Sequence, residues 1–404
     1  MEISSAPPAK DLAAGLNTVM ARLRRMRMVS PSKLGAYLAC PLRYLLESEL
    51  PKASPIKVSP VALLGTAVHA VAEGAETRTV PSRAETFEAL KYQFQKLACD
   101  QSKGGPLISW IWGRFGIDGL VSYQRLLSMA SFARTLVDKG RARGVSDYTT
   151  NPSTQHTIPE GRERWLESSS LGICGQADLI LREEENSVSI IDFKTGRVLD
   201  QEGRPKDSYL LQLAAYGQII RERDPAITIR LRLVSPSDHW EGIFDDALCG
   251  WVEEVLNELG ETIPVGQVIS PEEIAKVGDH CGDCSYRPCC GRYQRQLTEI
   301  GEIGFLRAKN GCFDFSGEIL DVLPRDGFVH LRCRLSNGDL AKVWGIPESI
   351  LDDTVCKQGH RFNAYGLGTL EKSSAGVLPR NFFVVRQDFP RDSAFGSYIE
   401  SRDA

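Results

Sequence analysis

Along the first third of the chain, apolar positions recur at helical spacing. Ser30-Pro31-Ser32 reads as a helix start, with a capping Ser and a Pro in the first turn. Leu34, Tyr37, Leu38, Tyr44 and Leu45 follow near a 3.6-residue period. Cys40-Pro41 interrupts that run, so the helix is expected to bend or restart there. Residues 61–73 predict a second helix, and residues 80–145 read as mostly helical, with Trp110, Trp112 and Phe115 near a Gly-rich break. From residue 155 onward the period changes. Residues 172–182 and 187–194 read as two strands joined by the acidic turn 183–186. A helix over 209–223, a strand over 228–234 and a helix over 245–259 come next. Beyond residue 302 the pattern breaks into short strands at 315–322, 328–335, 340–344, 361–367 and 381–386. Asp326-Gly327 and Asn337-Gly338 supply hairpin turns between some of them. Strands of this number and length suit a small barrel, and an OB-like fold is expected. The chain thus divides into a helical leader (1–29), an α/β domain (30–300) and a C-terminal β domain (301–404).

Composition narrows the class. A length of 404 residues accommodates two or three domains, and 42% hydrophobic with 25% charged residues is ordinary for a globular chain with sizeable cores. No stretch approaches the ~18 apolar residues of a membrane span. The first ten residues lack the basic start and apolar run of a secretory signal, so a cytoplasmic location without membrane contact is expected. A net charge of −4 argues against a protein that coats nucleic acid, so any such contact must rest on a local patch. Arg22, Arg24, Arg25 and Arg27 form one basic run, which reads first as a solvated helix face. Eleven cysteines, several of them crowded into one stretch, point in a cytosolic chain to a metal site rather than to disulfides.

The chemistry concentrates on Asp178, Asp192 and Lys194. Strand side chains alternate, so Asp192 and Lys194 share a face about 7 Å apart while Ile191 and Phe193 point the other way. A hairpin to the preceding strand brings Asp178 beside Asp192. Two facing carboxylates repel unless a cation lies between them, and hard oxygen ligands suit Mg²⁺ or Mn²⁺. An Asp-x-Lys on a strand is by itself more often a solvated face; the neighbouring motifs change that balance.

Gly175-Gln-Ala-Asp178 followed by Ile191-Asp-Phe-Lys-Thr-Gly196 resembles the core of the RecB-type PD-(D/E)XK nuclease superfamily. Gln212-Leu-Ala-Ala-Tyr216 is similar to that family's Gln-x-x-x-Tyr motif, and residues four apart project from one helical face. Gly65-Thr-Ala-Val-His69 resembles its Gly-x-x-x-His element. The resemblance implies a restriction-endonuclease-like α/β core with helical insertions and metal-dependent hydrolysis of DNA phosphodiesters. It also implies a divalent metal held by His69, Asp178 and Asp192, with Lys194, Gln212 and Tyr216 completing the catalytic set.

Cys281-Gly-Asp-Cys284 and Cys290 have spacing that fits either zinc or an iron–sulfur cluster, and Cys40 is the candidate fourth ligand. Cys289 stands beside Cys290 as a rival third thiol. One Cys before the nuclease core and three after it is similar to the 4Fe–4S arrangement of AddB-like and CRISPR-adaptation nucleases. That resemblance covers about residues 30–297 and favours Cys290. It implies a cluster that closes the fold without joining the cleavage chemistry.

The expected substrate is single-stranded or end-bearing DNA, with an exonuclease favoured over an endonuclease, in DNA repair or in anti-phage and CRISPR-related processing. No helicase P-loop occurs, so a helicase or other DNA-processing partner would come from another chain. The alternative readings are a DNA-binding module with a vestigial site, and an adaptor subunit of a larger DNA-processing or defence complex. Phe313, Phe315, Phe328, Phe362 and Tyr365 offer rings for base stacking but read first as core.

Overall fold

A computed structural model describes residues 28–49, 60–74, 82–102, 121–141, 158–264, 269–305, 312–348, 357–369, 382–384 and 398–402, together with residues 113, 116 and 267. The arginines of the leader and Trp110, Trp112 and Phe115 lie outside the described residues. The first helical run is broken where the sequence places Cys40-Pro41, giving α1 (Pro31–Ala39) and α2 (Pro41–Glu49) with Cys40 extended between them. Ser30 does not cap α1 through its side chain, because its hydroxyl bonds to that of Ser32 instead. Among the described residues the helices α3 (Pro60–Gly74), α4 (Arg83–Ser102) and α5 (Tyr123–Arg141) follow.

The central sheet has five strands in the order β1-β2-β3-β4-β5. They are β1 (Gly161–Ser168), β2 (Ile173–Glu184), β3 (Ser187–Phe193), β4 (Thr228–Val234) and β5 (His239–Ile243). The β3–β4 pair is parallel and the rest are antiparallel. Between β3 and β4 the chain makes the crossover helix α6 (Asp207–Arg223), as a parallel pair requires. Helix α7 (Asp246–Thr262) starts at Asp245, whose carboxylate accepts the Leu248 amide at 2.9 Å. Both sheet faces are covered, and β3 is accordingly buried along its whole length. One core joins the sheet to α1, α6 and α7 through Leu34, Leu213, Ile219 and Val252. The other joins it to α3, α4 and α5 through Leu64, Phe94 and Leu136, meeting Leu179, Ile191 and Phe193.

The C-terminal unit follows a short helix α8 (Pro271–Ile274), the cysteine loop and α9 (Gly291–Ile300). It is a seven-stranded sheet where the sequence suggested five strands. Its strands are β6 (Glu302–Phe305), β7 (Cys312–Arg325), β8 (Phe328–Arg334), β9 (Leu340–Pro347), β10 (Arg361–Thr369), β11 (Phe382–Val384) and β12 (Tyr398–Arg402). Neighbours run β12-β10-β11-β9-β8-β7-β6, and β10 also pairs with β7. That extra pairing closes β7, β8, β9, β11 and β10 into a ring, with β9 and β11 parallel. Phe315, Phe362 and Tyr365 are fully buried. Among the described residues no helix is long and apolar enough to cross a membrane.

A buried ion pair joins the two units. Arg287, in the cysteine loop and 4% exposed, pairs with Asp314 of β7, which has no exposure at all. The same carboxylate accepts the Tyr293 hydroxyl at 2.7 Å and the Gly366 amide at 2.8 Å. Tyr365 in turn donates to Gln294 at 2.8 Å.

Candidate active site

Lys194 follows β3 directly, with its amide bonded to the Val234 carbonyl of β4. Its ammonium lies 2.9 Å from Asp192 Oδ2 and donates to Asp192 Oδ1 at 3.2 Å and to Gln212 Oε1 at 2.9 Å. Gln212 closes the triangle by donating from Nε2 to Asp192 Oδ1 at 2.9 Å. Asp192 is 2% exposed, and its Oδ2 receives no aligned hydrogen bond despite the nearby ammonium. Burial works against the Lys194 charge, but Asp192 more than offsets it and holds the ammonium above its ordinary pKa. The Tyr209 ring lies 4.9 Å from the same ammonium.

Gln212 and Tyr216 share one face of α6, as their spacing predicts, but act on different partners. Tyr216 donates to the Gln176 carbonyl at 2.7 Å and so anchors β2 beside Asp178. Gly175 makes room for that contact: a Cβ there would stand 2.9 Å from Pro31 and 3.0 Å from the Tyr216 hydroxyl. Gly65 plays the same part for α3, since a Cβ would meet Thr195 Oγ1 at 2.7 Å. The helix therefore lies against the Lys194-Thr195 turn, and one turn later it presents His69.

His69, Glu163 and Asp178 bring one ligand atom each to within 4.8 Å of one another. Asp192 is not part of this trio; its carboxylate faces Lys194 and Gln212. Asp178 accepts the Phe193 amide at 2.7 Å through Oδ2. Both carboxylates of the trio sit where negative charge is costly. Burial, then the Asp192 charge, push Asp178 upward, while burial, then Asp178, push Glu163 up to about 7. Half-buried carboxylates crowding an imidazole form a donor set that fits a hard divalent cation.

Glu163 was absent from the sequence reading, and so was its strand. It has φ of 48°, an unusual conformation for a non-glycine residue. Its register partner would be Asp178, but ladder pairing skips that rung and resumes unchanged on both sides. Ala177 and Ile180, three apart, both enter the first core while Leu179 enters the second. Alternation is broken at this rung on β2, and the two carboxylates leave the ladder together there. A segment reading Gly-Arg-Glu-Arg-Trp with a flipped residue carries no period-2 signal that could have exposed it.

Cys40, Cys281, Cys284 and Cys290 line one pocket with Arg43, Lys276 and Arg287 among its other walls; Cys289 does not line it. Burial pushes Cys281 up to about 11 and Cys284 up to about 12, and raises Cys290 as well. Among the described residues, no three of these thiols lie within 4.8 Å of one another.

A family model for the PD-(D/E)XK nuclease superfamily matches residues 28–291, a span that includes every residue named in this subsection. No curated protein matches the chain.

Proposed function

Taking as premise that this chain belongs to the PD-(D/E)XK nuclease superfamily, we propose that it is a metal-dependent deoxyribonuclease of the RecB type. The observation that carries the reading is the Lys194 ammonium, locked between Asp192 and Gln212 and adjoining the His69–Glu163–Asp178 trio. A Mg²⁺ or Mn²⁺ ion would be held by His69, Glu163 and Asp178, where it would supply a Lewis acid that lowers the pKa of a bound water. The chain's own residues do the positioning. Lys194, kept protonated, faces the place where charge develops on the phosphate oxygens and stabilises it there. Gln212 fixes the lysine rotamer, and Tyr216 fixes the strand that carries Asp178.

The substrate we assign is single-stranded or end-bearing DNA, cut as an exonuclease in repair or in anti-phage and CRISPR-related processing, with any helicase supplied by another chain. The ring of β7, β8, β9, β11 and β10 with its parallel β9–β11 pair supports reading the C-terminal unit as an OB-like barrel. Its β8 and β9 carry Arg332, Arg334 and Lys342, and the His330 ring lies 4.4 Å from that of Trp344, a mixture suited to single strands. Phe315, Phe362 and Tyr365 belong to the core and are not available for stacking.

The thiol pocket we assign to a 4Fe–4S cluster on Cys40, Cys281, Cys284 and Cys290. Four thiols around one pocket accept either zinc or an iron–sulfur cluster, and the layout of one Cys before the nuclease core and three after it favours iron. Arginine and lysine in the wall offset the negative charge of bound thiolates.

The decisive experiment is hydrolysis of end-labelled single- and double-stranded DNA with Mn²⁺. Lys194→Ala is expected to lower the rate at least about 100-fold while leaving the fold and the DNA affinity largely intact. Wild-type rates in that variant would refute the assigned site.

A further inference from the structure

Trp165 is the one tryptophan among the described residues that is classed as exposed, at 57%. It lies on β1, an edge strand of the nuclease sheet. Its neighbour Leu166 is fully buried in the first core, so the indole projects from the opposite face. Across the ladder it pairs with Gln176, also exposed. Two residues along each strand from that rung stand Glu163 and Asp178, the carboxylates of the metal trio. That separation is about 7 Å along the backbone, the span of one nucleotide. The surroundings hold the rung in place: Gln176 donates to the Glu163 carbonyl at 3.0 Å and accepts from Tyr216, and the indole Nε1 donates to Glu167 at 3.2 Å. The ring's polar atom is satisfied while much of its apolar surface faces solvent.

An exposed indole on a rigid strand beside a phosphodiester-cleaving centre matches one ligand chemistry, the face of a nucleobase. We propose that Trp165 is a base-binding subsite that stacks on an unpaired base next to the phosphate at the metal trio, and so selects single-stranded over duplex DNA. This rests on the nuclease reading above. Bases within a duplex are already stacked on their neighbours, so only an unpaired strand has a free face to offer. The local charge is mixed: along β1, Arg162 and Arg164 alternate with Glu163 and Glu167 around the ring, so the ring supplies affinity that charge alone does not. Strands held by stacking also lose less affinity with added salt than strands held by counterion release.

The test measures binding in the Lys194→Ala protein, where a strand stays uncut, using a fluorescent single-stranded oligonucleotide and a blunt duplex of the same sequence. Trp165→Ala is expected to weaken single-strand binding on the order of tenfold and Trp165→Phe to retain most of it, with duplex binding unchanged. A 2-aminopurine base at the stacked position should be quenched by Trp165 and not by alanine. An unchanged single-strand affinity in Trp165→Ala overturns the proposal, and so does an equal loss on both substrates. Cleavage with Lys194 intact separates the two readings: on an end-labelled abasic strand with Mn²⁺, which offers no ring to stack, Trp165→Ala should cut at the wild-type rate. Failure of the wild-type protein to cut either that strand or base-bearing DNA sinks the nuclease reading, while the binding measurements still decide the subsite.

Discussion

Glu163 and Asp178 illustrate how a site can be legible in one residue and hidden in its neighbour. Asp178 stands in a recognisable Gly-Gln-Ala-Asp string; Glu163 lies on a strand without alternation and takes a left-handed conformation that no sequence pattern announces. Its chemistry nevertheless has a measurable signature. A carboxyl whose pKa rises on folding, here from 4.5 to about 7, binds more protons in the folded state than in the unfolded one. The metal-free protein should therefore lose stability as pH rises through that window. Thermal unfolding in a chelator should show the loss, and added Mg²⁺ should restore stability at pH 7 by stabilising the ionised carboxylates. Glu163→Gln should flatten the pH dependence and weaken Mn²⁺ binding. Lys194, Gln212 and Asp192 were singled out by their resemblance to the family's motifs; strand and helix periodicity added only which residues share a face. The partition of Gln212 and Tyr216 between side-chain and backbone targets was not readable, since it depends on the packing of α6 against β2.

At the scale of elements, glycine decides how closely the parts meet. Gly65 lets α3 rest on Thr195, so that His69 reaches the carboxylates brought by the sheet. Gly65→Val is expected to push α3 off the turn, lower Mn²⁺ affinity about 10–100-fold and leave the Lys194–Gln212 bond in place, which a metal titration with calorimetry can measure. The crossover helix α6 and the buried strands β3 and β4 were foreseen within a few residues. The strands β1, β5, β6 and β12 were not. All four are outermost in their sheets, where one side of the ladder faces no partner and side-chain pattern is correspondingly weak.

Across the whole molecule, the seam between nuclease and β unit is polar and dry rather than a flexible linker. Asp314 receives Arg287, Tyr293 and the Gly366 amide with no exposure to water. Removing one member of such a pair leaves a buried charge uncompensated, so Asp314→Ala should cost about 3–5 kcal/mol, read by urea unfolding. Because Arg287 also donates to the Cys284 carbonyl at 2.9 Å, that variant should release bound metal more readily. Protein purified without oxygen should contain iron and sulfide, and Cys290→Ser should lose both while Cys289→Ser keeps them; stoichiometric zinc without iron would overturn the cluster assignment. The proposed cluster also imposes an order in time. Cys40 and Cys281 are separated by 241 residues of chain, which a ribosome adding ~5–20 residues per second takes roughly 12–48 s to make. If Cys40 is the first ligand, its thiol waits through that interval for sulfurs not yet translated, so oxidising nascent chains should lower the iron content of the finished protein.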